Sequence, residues 1–490
     1  MLHRGQLLSF ESAAGHESNL VLYILHQRAT VRFSRLIWDQ RGSIAALVRS
    51  HLGLRKDETC AVLPPDAWLS GGFNLCVLVE ATVAGRLTLV FRCPMSHKLA
   101  ERQYPGTIDE KVRGEVAAYA WIQEHCHEIR IPCLYAFGFT DGLQFSHVEQ
   151  APFYTRISRS FQRWVHRILG LSLLSNYSRN TTLPTVDTAY MLLEYISPET
   201  GTMLSETWNE YMHDAQRVHP YSEASHIGSF RFNPRDATIT LSNRPLMCST
   251  MLFEKSGTPR TIQPHQTYQT TDSFVSETLT LYDNHLLHDP HAVRDEDDAR
   301  ERITIRTLLR ALSHHFLTDF HQSNIFVDKD WNITCLMDLQ WLCALPSEML
   351  SVPSWLANCS LDNIIGKRYD HFNEARKVFL DVMDEEAQSI RQEHDIQVTD
   401  TMRHSWSSKR VWFWACLRST NAWLFIFEDH ILPRFSDDKE LVVSLKQMSV
   451  LWRDDVEDVI KAKVQDEEKY REELLHLIND QEQGIENSRE

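Results

Sequence analysis

One stretch of the sequence, Leu317–Trp341, restricts the possible folds of this chain more than any other. Two short apolar runs, Ile325–Val327 and Ile333–Met337, flank a polar segment, and this pattern predicts a β-hairpin. The two ends of a hairpin lie side by side. We therefore expect Asn324, just before the first strand, and Asp338, just after the second, to lie close together.

The side chains at these ends have the chemistry of a magnesium site. Mg²⁺ prefers hard oxygen ligands, and Asn324 and Asp338 would supply an amide oxygen and a carboxylate oxygen. Asp319 lies five residues before Asn324, on the segment that leads into the hairpin, where a carboxylate can accept a proton from a hydroxyl group. Phosphoryl transfer depends mainly on positioning and charge neutralisation, so these three groups with ATP and Mg²⁺ are chemically sufficient for it.

The same residues carry a family resemblance. Asp319-x-x-x-x-Asn324, an apolar hairpin and Asp338 resemble the catalytic and metal-binding loops of the protein-kinase-like superfamily. The local pattern Asp319-x-His321-x-x-Asn324 is similar to aminoglycoside phosphotransferases and choline-type kinases. Together with Pro346–Leu350, the stretch looks like a large fungal family of proteins with an aminoglycoside phosphotransferase domain.

This resemblance implies an α+β fold with two lobes, a small β-rich N-lobe and a large, mainly helical C-lobe, with ATP and Mg²⁺ between them. It assigns residues 1–60 to an N-terminal extension and 61–196 to the N-lobe, with an insertion at 141–187. Residues 197–440 would form the C-lobe, which includes the hairpin, and 441–490 an acidic helical tail.

The resemblance also implies a nucleotide site in the N-lobe. Gly71 and Gly72 would belong to the loop that covers the phosphates. Arg92 stands where kinases place the phosphate-binding lysine of the third strand, and Glu115, on the following helix, would be its ion-pair partner. The segment from Glu194 to Ile196 would be the hinge, whose backbone meets adenine.

The implied activity is transfer of the ATP γ-phosphate to a hydroxyl group of a small molecule. Three departures favour a pseudokinase that binds without turnover: Arg92 replaces lysine, Leu317 replaces the histidine of the kinase motif, and the loop at Gly71 and Gly72 is poor in glycine. Gln340, where many relatives have an acidic residue, would weaken binding of a second metal ion. Phosphorylation of a protein is a third possibility, which the missing Ala-Pro-Glu motif disfavours.

Simpler structural interpretations remain open for several of these residues. Gly71 and Gly72 suit an ordinary hairpin turn as well as a phosphate loop. Arg92 and Glu115 could form an exposed ion pair worth about 0–1 kcal/mol. His125-Cys126-His127 looks like a metal cluster, but three adjacent residues cannot all face one ion.

The composition limits the kinds of partner that the chain is expected to bind. The chain of 490 residues carries 50 basic and 66 acidic side chains, and the net charge of −16 argues against a nucleic-acid binder. Acidic residues within 283–301 could attract a cationic substrate or could be a solvated charged surface. The absence of a signal-peptide pattern and of a long apolar run predicts a cytoplasmic protein without a membrane span.

Local patterns predict individual elements. Helices are expected at Ser43–Leu54, Thr107–His125, Phe372–Ile390, Arg410–Phe427 and, as an exposed terminal helix, 455–480. Strands are expected at Leu75–Glu80, Leu87–Cys93, Leu134–Gly138 and Tyr190–Ile196. Ser158–Leu174 is an amphipathic basic segment that suits a solvated helix face or a contact with membrane or phosphate, and Ser175–Thr188 is expected to be a loop.

Overall fold

The computed structural model describes most of the chain. The described residues are 2–3, 6–82, 86–126, 130–181, 184–197, 202–203, 227–311, 325–327, 333–336, 339, 343–345, 349, 351–357, 361–390, 398–420, 422–436 and 445–486. The fold of this part is mixed α+β. None of its helices is long and apolar enough to cross a membrane.

Among the described residues, most strands lie in the first half of the chain and most helices in the second half, with three further helices near the N-terminus. The strands are β1 Leu2–His3, β2 Gln6–Leu7, β3 Cys60–Val62, β4 Leu69–Ser70, β5 Asn74–Thr82, β6 Arg86–Pro94, β7 Leu134–Gly138, β8 Gln144–His147, β9 Leu173–Leu174, β10 Tyr177–Asn180, β11 Tyr190–Glu194, β12 Thr202–Met203, β13 Gly228–Asn233, β14 Thr238–Asn243, β15 Ile325–Val327, β16 Ile333–Leu336 and β17 Cys343–Ala344. The α-helices are α1 Phe10–Ala14, α2 Leu20–Asp39, α3 Arg41–Leu52, α4 Thr107–His125, α5 Phe153–Ile168, α6 Cys248–Lys255, α7 Thr271–His288, α8 Glu296–Ala311, α9 Lys367–Ile390, α10 Val398–Ser407, α11 Arg410–Arg418, α12 Trp423–Ile426 and α13 Val456–Glu486.

The main sheet is antiparallel, with strand order β10-β8-β7-β11-β6-β5-β3 and with β4 paired to β5. Alternate residues of a strand face opposite sides, so the sheet has two apolar faces. One face packs on α4, with Phe137 and Leu193 in the same buried cluster as Val112. The other face packs on α2 and α3, where Val77 lies in a cluster with Ile44. The N-terminal extension therefore covers one side of the sheet.

Two smaller sheets complete the β-structure. One has the order β17-β13-β14-β9, and β13 packs against α4. The other has the order β12-β15-β16, in which β15 and β16 form the predicted hairpin. The hairpin strands are thus confirmed at Ile325–Val327 and Ile333–Leu336, whereas the intervening turn lies outside the described residues.

Several predicted elements are confirmed. Helix α4 has the predicted bounds Thr107–His125, and α3 lies within two residues of its predicted ones. The four predicted strands correspond to β5, β6, β7 and β11.

Three predictions need correction. Arg410–Phe427 is not one helix: α11 ends at Arg418, and the Ser419 hydroxyl accepts a hydrogen bond of 2.7 Å from the Ala422 N–H just before α12. The predicted loop Ser175–Thr188 contains β10, which extends the main sheet. The basic segment Ser158–Leu174 is helical only in part, because α5 ends at Ile168 and Leu173–Leu174 form β9.

The terminal helix was expected to be exposed, and this is wrong for one face of α13. Tyr470 and Leu474 are buried with Ala13 and Leu20 of the N-terminal helices, and Val456 packs with Ile303 of α8. The Tyr470 hydroxyl accepts a 3.0 Å hydrogen bond from the Leu20 N–H. The two ends of the chain therefore pack together.

A buried histidine ties α3 to the main sheet. His51 is 2% exposed, and its two ring nitrogens lie 2.8 Å from Ser146 Oγ and 2.6 Å from the Tyr190 hydroxyl. The Tyr190 ring in turn lies where a side chain at Gly138 would be, because a Cβ there would come within 2.4 Å of Tyr190 Cε1. Burial lowers the pKa of His51 to about 3.

This histidine should make the protein sensitive to acid. The unfolded state takes up a proton at His51 near pH 6.5, whereas the folded state does so only near pH 3. The contribution of neutral His51 to the free energy of unfolding is therefore fully present above pH 6.5 and is lost as the pH falls toward 3. We expect His51→Gln to lower the free energy of unfolding more at about pH 7 than at about pH 5. Urea unfolding at both pH values measures this difference, and an equal effect at both would contradict it.

Candidate functional site

Side chains alternate between the two faces of strand β6, and this alternation directs Arg92 toward the candidate site. Its neighbours Phe91 and Cys93 are buried on the face that packs on α2 and α3. Arg92 therefore points to the opposite face, toward α4. Asn74, at the start of β5, faces the same side, since the next residue, Leu75, belongs to the Phe91 cluster.

Glu115 meets Arg92 from helix α4. The Arg92 Nη1 atom lies 2.7 Å from Glu115 Oε1, and the two side chains are 10% and 1% exposed. The predicted ion pair is present, and the alternative of an exposed surface pair is wrong. Removing either partner from a buried pair leaves an uncompensated charge, which costs far more than loss of a surface pair.

Two further residues complete this cluster. Lys111, one turn before Glu115, is fully buried, and its Nζ lies 3.1 Å from Glu115 Oε2 and 3.1 Å from Asn74 Oδ1. One carboxylate therefore holds two cationic groups between the sheet and α4. Lys111 is not among the residues predicted from the sequence. The available signal was its position four residues before Glu115, on the same helical face as Tyr119.

Close packing and a second buried ion-pair cluster fix helix α4. A Cβ on Gly114 would lie 3.2 Å from Leu246 Cδ1, so glycine allows α4 to lie close to the segment that follows β14. Arg244, fully buried, donates to both carboxylate oxygens of Glu110, at 2.8 and 2.9 Å, and also pairs with Glu254. Hydrogen bonds and the charges of these two carboxylates raise the pKa of Arg244 despite its burial. These contacts hold Glu115 in position.

Gly71 and Gly72 occupy the tight turn between β4 and β5. The Gly71 N–H donates to the Asn74 carbonyl at 2.9 Å, and the Lys98 ammonium donates to the Gly71 carbonyl at 3.0 Å. A Cβ on Gly72 would meet no atom within 4 Å, so the packing of the protein does not require glycine there. This geometry fits both an ordinary hairpin turn and a loop that a ligand approaches.

The predicted hinge follows β11. The Glu194 carboxylate accepts hydrogen bonds from Arg130, at 2.6 Å, and from the Cys133 N–H, at 3.0 Å. The Glu194 side chain therefore braces the segment before β7, and Ile196 is buried. A nucleotide at this place would meet the backbone after Glu194 rather than its side chain.

The predicted catalytic base, Asp319, and the predicted metal ligands, Asn324 and Asp338, lie outside the described residues. Two described segments near them along the chain or in the sheet have defined contacts. Leu339 is buried in the same cluster as Phe73 and Val112. Strand β12, which follows the hinge, pairs with the hairpin strand β15, Thr202 opposite Val327.

Several carboxylates of the acidic run 283–301 pair with cations of the same chain, while Glu296 and Asp297 stay 66% and 75% exposed. Asp283 lies 2.7 Å from Arg310, Asp298 lies 2.9 Å from Arg302, and Glu296 lies 2.8 Å from Arg300. These carboxylates neutralise arginines of the same chain. They give no support to attraction of a cationic substrate.

Within the described part of the chain, no group of three or more His, Cys, Asp or Glu side chains could hold a metal ion. Comparison with known proteins adds no assignment. No protein-family model, no curated protein and no solved structure matches this chain.

The buried cluster predicts a large stability effect. Glu115→Ala would leave Arg92 and Lys111 buried without their shared anion, and we expect the free energy of unfolding to fall by about 3–5 kcal/mol. Chemical denaturation measures this loss.

The matched control is Glu457→Ala. Glu457 pairs with Arg300 at 2.7 Å but is 52% exposed, so we expect a far smaller change than for Glu115→Ala, because solvent screens an exposed pair. Equal effects of the two substitutions would show that the Glu115 cluster does not stabilise the fold.

Proposed function

We propose that this protein is an ATP- and Mg²⁺-dependent phosphotransferase that phosphorylates a hydroxyl group of a small molecule. We further propose the two-lobed kinase-like fold of the aminoglycoside phosphotransferase type. The observation that carries the proposal is the buried ion pair between Arg92 on β6 and Glu115 on α4. The fungal family resemblance at Leu317–Trp341 suggested the same assignment from the sequence.

The position of this pair along the chain supports the proposal. Protein kinases hold the ATP phosphates with a cation on a strand of the N-lobe sheet, and this cation pairs with a glutamate from the next helix. Here Arg92 lies on β6, and Glu115 lies on α4, the first α-helix after that strand. The burial of the pair and its order along the chain, strand first and helix next, both match this arrangement.

Two observations support a site that includes both the pair and the hairpin. Leu339, the residue after Asp338, packs in the same buried cluster as Val112 of α4. Thr202, eight residues after Glu194, pairs with Val327 of the hairpin. We propose that Asp338 and Asn324 bind Mg²⁺ and that Asp319 accepts the proton of the substrate hydroxyl.

The Arg92 guanidinium would orient the phosphates. Arginine stays charged and grips phosphate oxygens as a fork, whereas lysine acts as a point charge. Glu115 restricts the rotation of the guanidinium, so less conformational entropy is lost on binding. In this proposal, Gly71 and Gly72 lie over the nucleotide and the backbone after Glu194 meets adenine.

A pseudokinase is the second candidate. Arg92, Leu317 and the glycine-poor loop at Gly71 and Gly72 depart from the kinase pattern and favour it. Both candidates bind nucleotide at the same place, and they differ only in turnover. Nucleotide binding and turnover therefore have to be tested separately.

Nucleotide binding is tested by thermal shift. We expect ATP with Mg²⁺ to raise the unfolding temperature of the wild type and to have a much smaller effect on Asp338→Ala, because the carboxylate that links the metal to the phosphates is missing. Glu457→Ala serves as the control and should keep the full shift. Absence of any Mg²⁺-dependent nucleotide shift in the wild type would contradict the proposal.

Turnover is tested with Asp319→Asn. Loss of the proposed base should lower phosphate transfer across a panel of hydroxyl compounds by about 10²–10⁴-fold. The nucleotide-induced thermal shift should persist, since the substitution leaves the metal ligands in place. Unchanged turnover would exclude Asp319 as the base, and binding without any turnover in the wild type would favour the pseudokinase.

A further inference from the structure

Helix α5 turns its apolar face to solvent. Six large apolar residues project from it, and at about 100° per residue they fall within an arc of about 100°. Their exposed fractions lie between 54% and 75%: Phe153, Tyr154, Ile157, Phe161, Trp164 and Ile168. Leu169 and Leu171, just beyond the helix, are also exposed. A helix of a globular protein normally buries such a face.

The opposite face of α5 is fixed to the protein by polar contacts. The Arg159 Nε donates to the Ser175 carbonyl at 2.9 Å, and the Arg163 Nε donates to the Leu174 carbonyl at 3.1 Å. Arg163 also pairs with Glu124 of α4. Rolling the helix to bury its apolar face would break these contacts. The outward orientation of the aromatic side chains is therefore built into the fold.

The charge around this face points to the chemistry of its partner. Residues 150–186 contain five arginines and no lysine, aspartate or glutamate, a local charge of +5 in a chain whose net charge is −16. Arg156 and Arg167 are exposed and lie beside the apolar arc, and the Arg156 guanidinium also donates to the Ala151 and Glu149 carbonyls. Two copies of such a segment would repel each other. The partner should offer an apolar interior behind an anionic surface.

We propose that α5 docks this protein on the surface of an anionic membrane. The helix, about 24 Å long, would lie flat in the headgroup region, with Phe161 and Trp164 toward the acyl chains and Arg156 and Arg167 at the lipid phosphates. Tryptophan and tyrosine favour this interface because their rings are apolar at one end and polar at the other. The inference does not depend on the phosphotransferase activity.

Vesicle sedimentation tests the proposal. The full chain should sediment with vesicles of phosphatidylcholine containing about one-third phosphatidylserine, and much less with phosphatidylcholine alone. Added salt should weaken the binding, because it screens the contribution of the arginines. No sedimentation with the anionic vesicles, or equal sedimentation with both, would overturn the proposal.

Two double variants test whether the apolar face of α5 is the surface that binds vesicles. The double substitution Phe161→Ser and Trp164→Ser should reduce vesicle binding at least tenfold without changing the unfolding temperature, since both side chains are exposed. The matched control is Phe435→Ser with Leu451→Ser, two residues that are 59% and 66% exposed elsewhere on the protein. Equal loss of binding in both double variants would overturn the assignment to α5.

Arg167→Glu tests the electrostatic part. It should weaken binding to the anionic vesicles about tenfold or more, because each lost cation costs about fivefold at such a surface. Sedimentation velocity without lipid provides a further check. A wild-type dimer that the Phe161/Trp164 double variant abolishes would assign the face to self-association and overturn the membrane proposal.

Discussion

The carboxylate of Glu115 is the contact on which the candidate site depends. It binds Arg92 of the sheet and Lys111 of its own helix in a largely buried region, where charge interactions are strong and an unpaired charge is costly. A pair of this kind adds less to stability than its Coulomb energy suggests, because both ions lose their hydration. The pair also links strand β6 directly to helix α4.

The rest of the fold reinforces that arrangement. The segment after β14 packs closely on α4 at Gly114, and Arg244 of this segment pairs with Glu110 of α4 and with Glu254. The N-terminal helices cover the other face of the main sheet, and they pack in turn on α13 at the opposite end of the chain. The proposed phosphotransferase function would benefit from such packing, because phosphoryl transfer depends on positioning more than on reactive side chains.

The sequence predicted some features because they depend on local pattern. The hairpin strands and α4 follow from apolar periodicity and turn residues, which act over a few positions. Lys111 was missed because a helical lysine is normally exposed, and only its tertiary partners reveal that it is buried. The buried face of α13 depends on contacts between residues more than 400 positions apart.

Helix α5 shows another limit of sequence patterns. Periodicity revealed its two faces, but the face that turns to the protein is set by carbonyl groups at Leu174 and Ser175 that only the folded chain presents. The Arg92–Glu115 pair could be predicted only in part. The family resemblance suggested it, whereas its burial could be learned only from the structure.

The central claim is that the cationic strand and the hairpin form one nucleotide site. Isothermal titration of ATP, with and without Mg²⁺, into the wild type and into Arg92→Met tests it most directly. The account predicts Mg²⁺-dependent binding to the wild type and a loss of about tenfold or more in affinity in the variant, since a charged hydrogen bond to phosphate is worth about 1.5–3 kcal/mol. Equal affinity of both proteins for ATP, or no binding to a folded wild type, would contradict it.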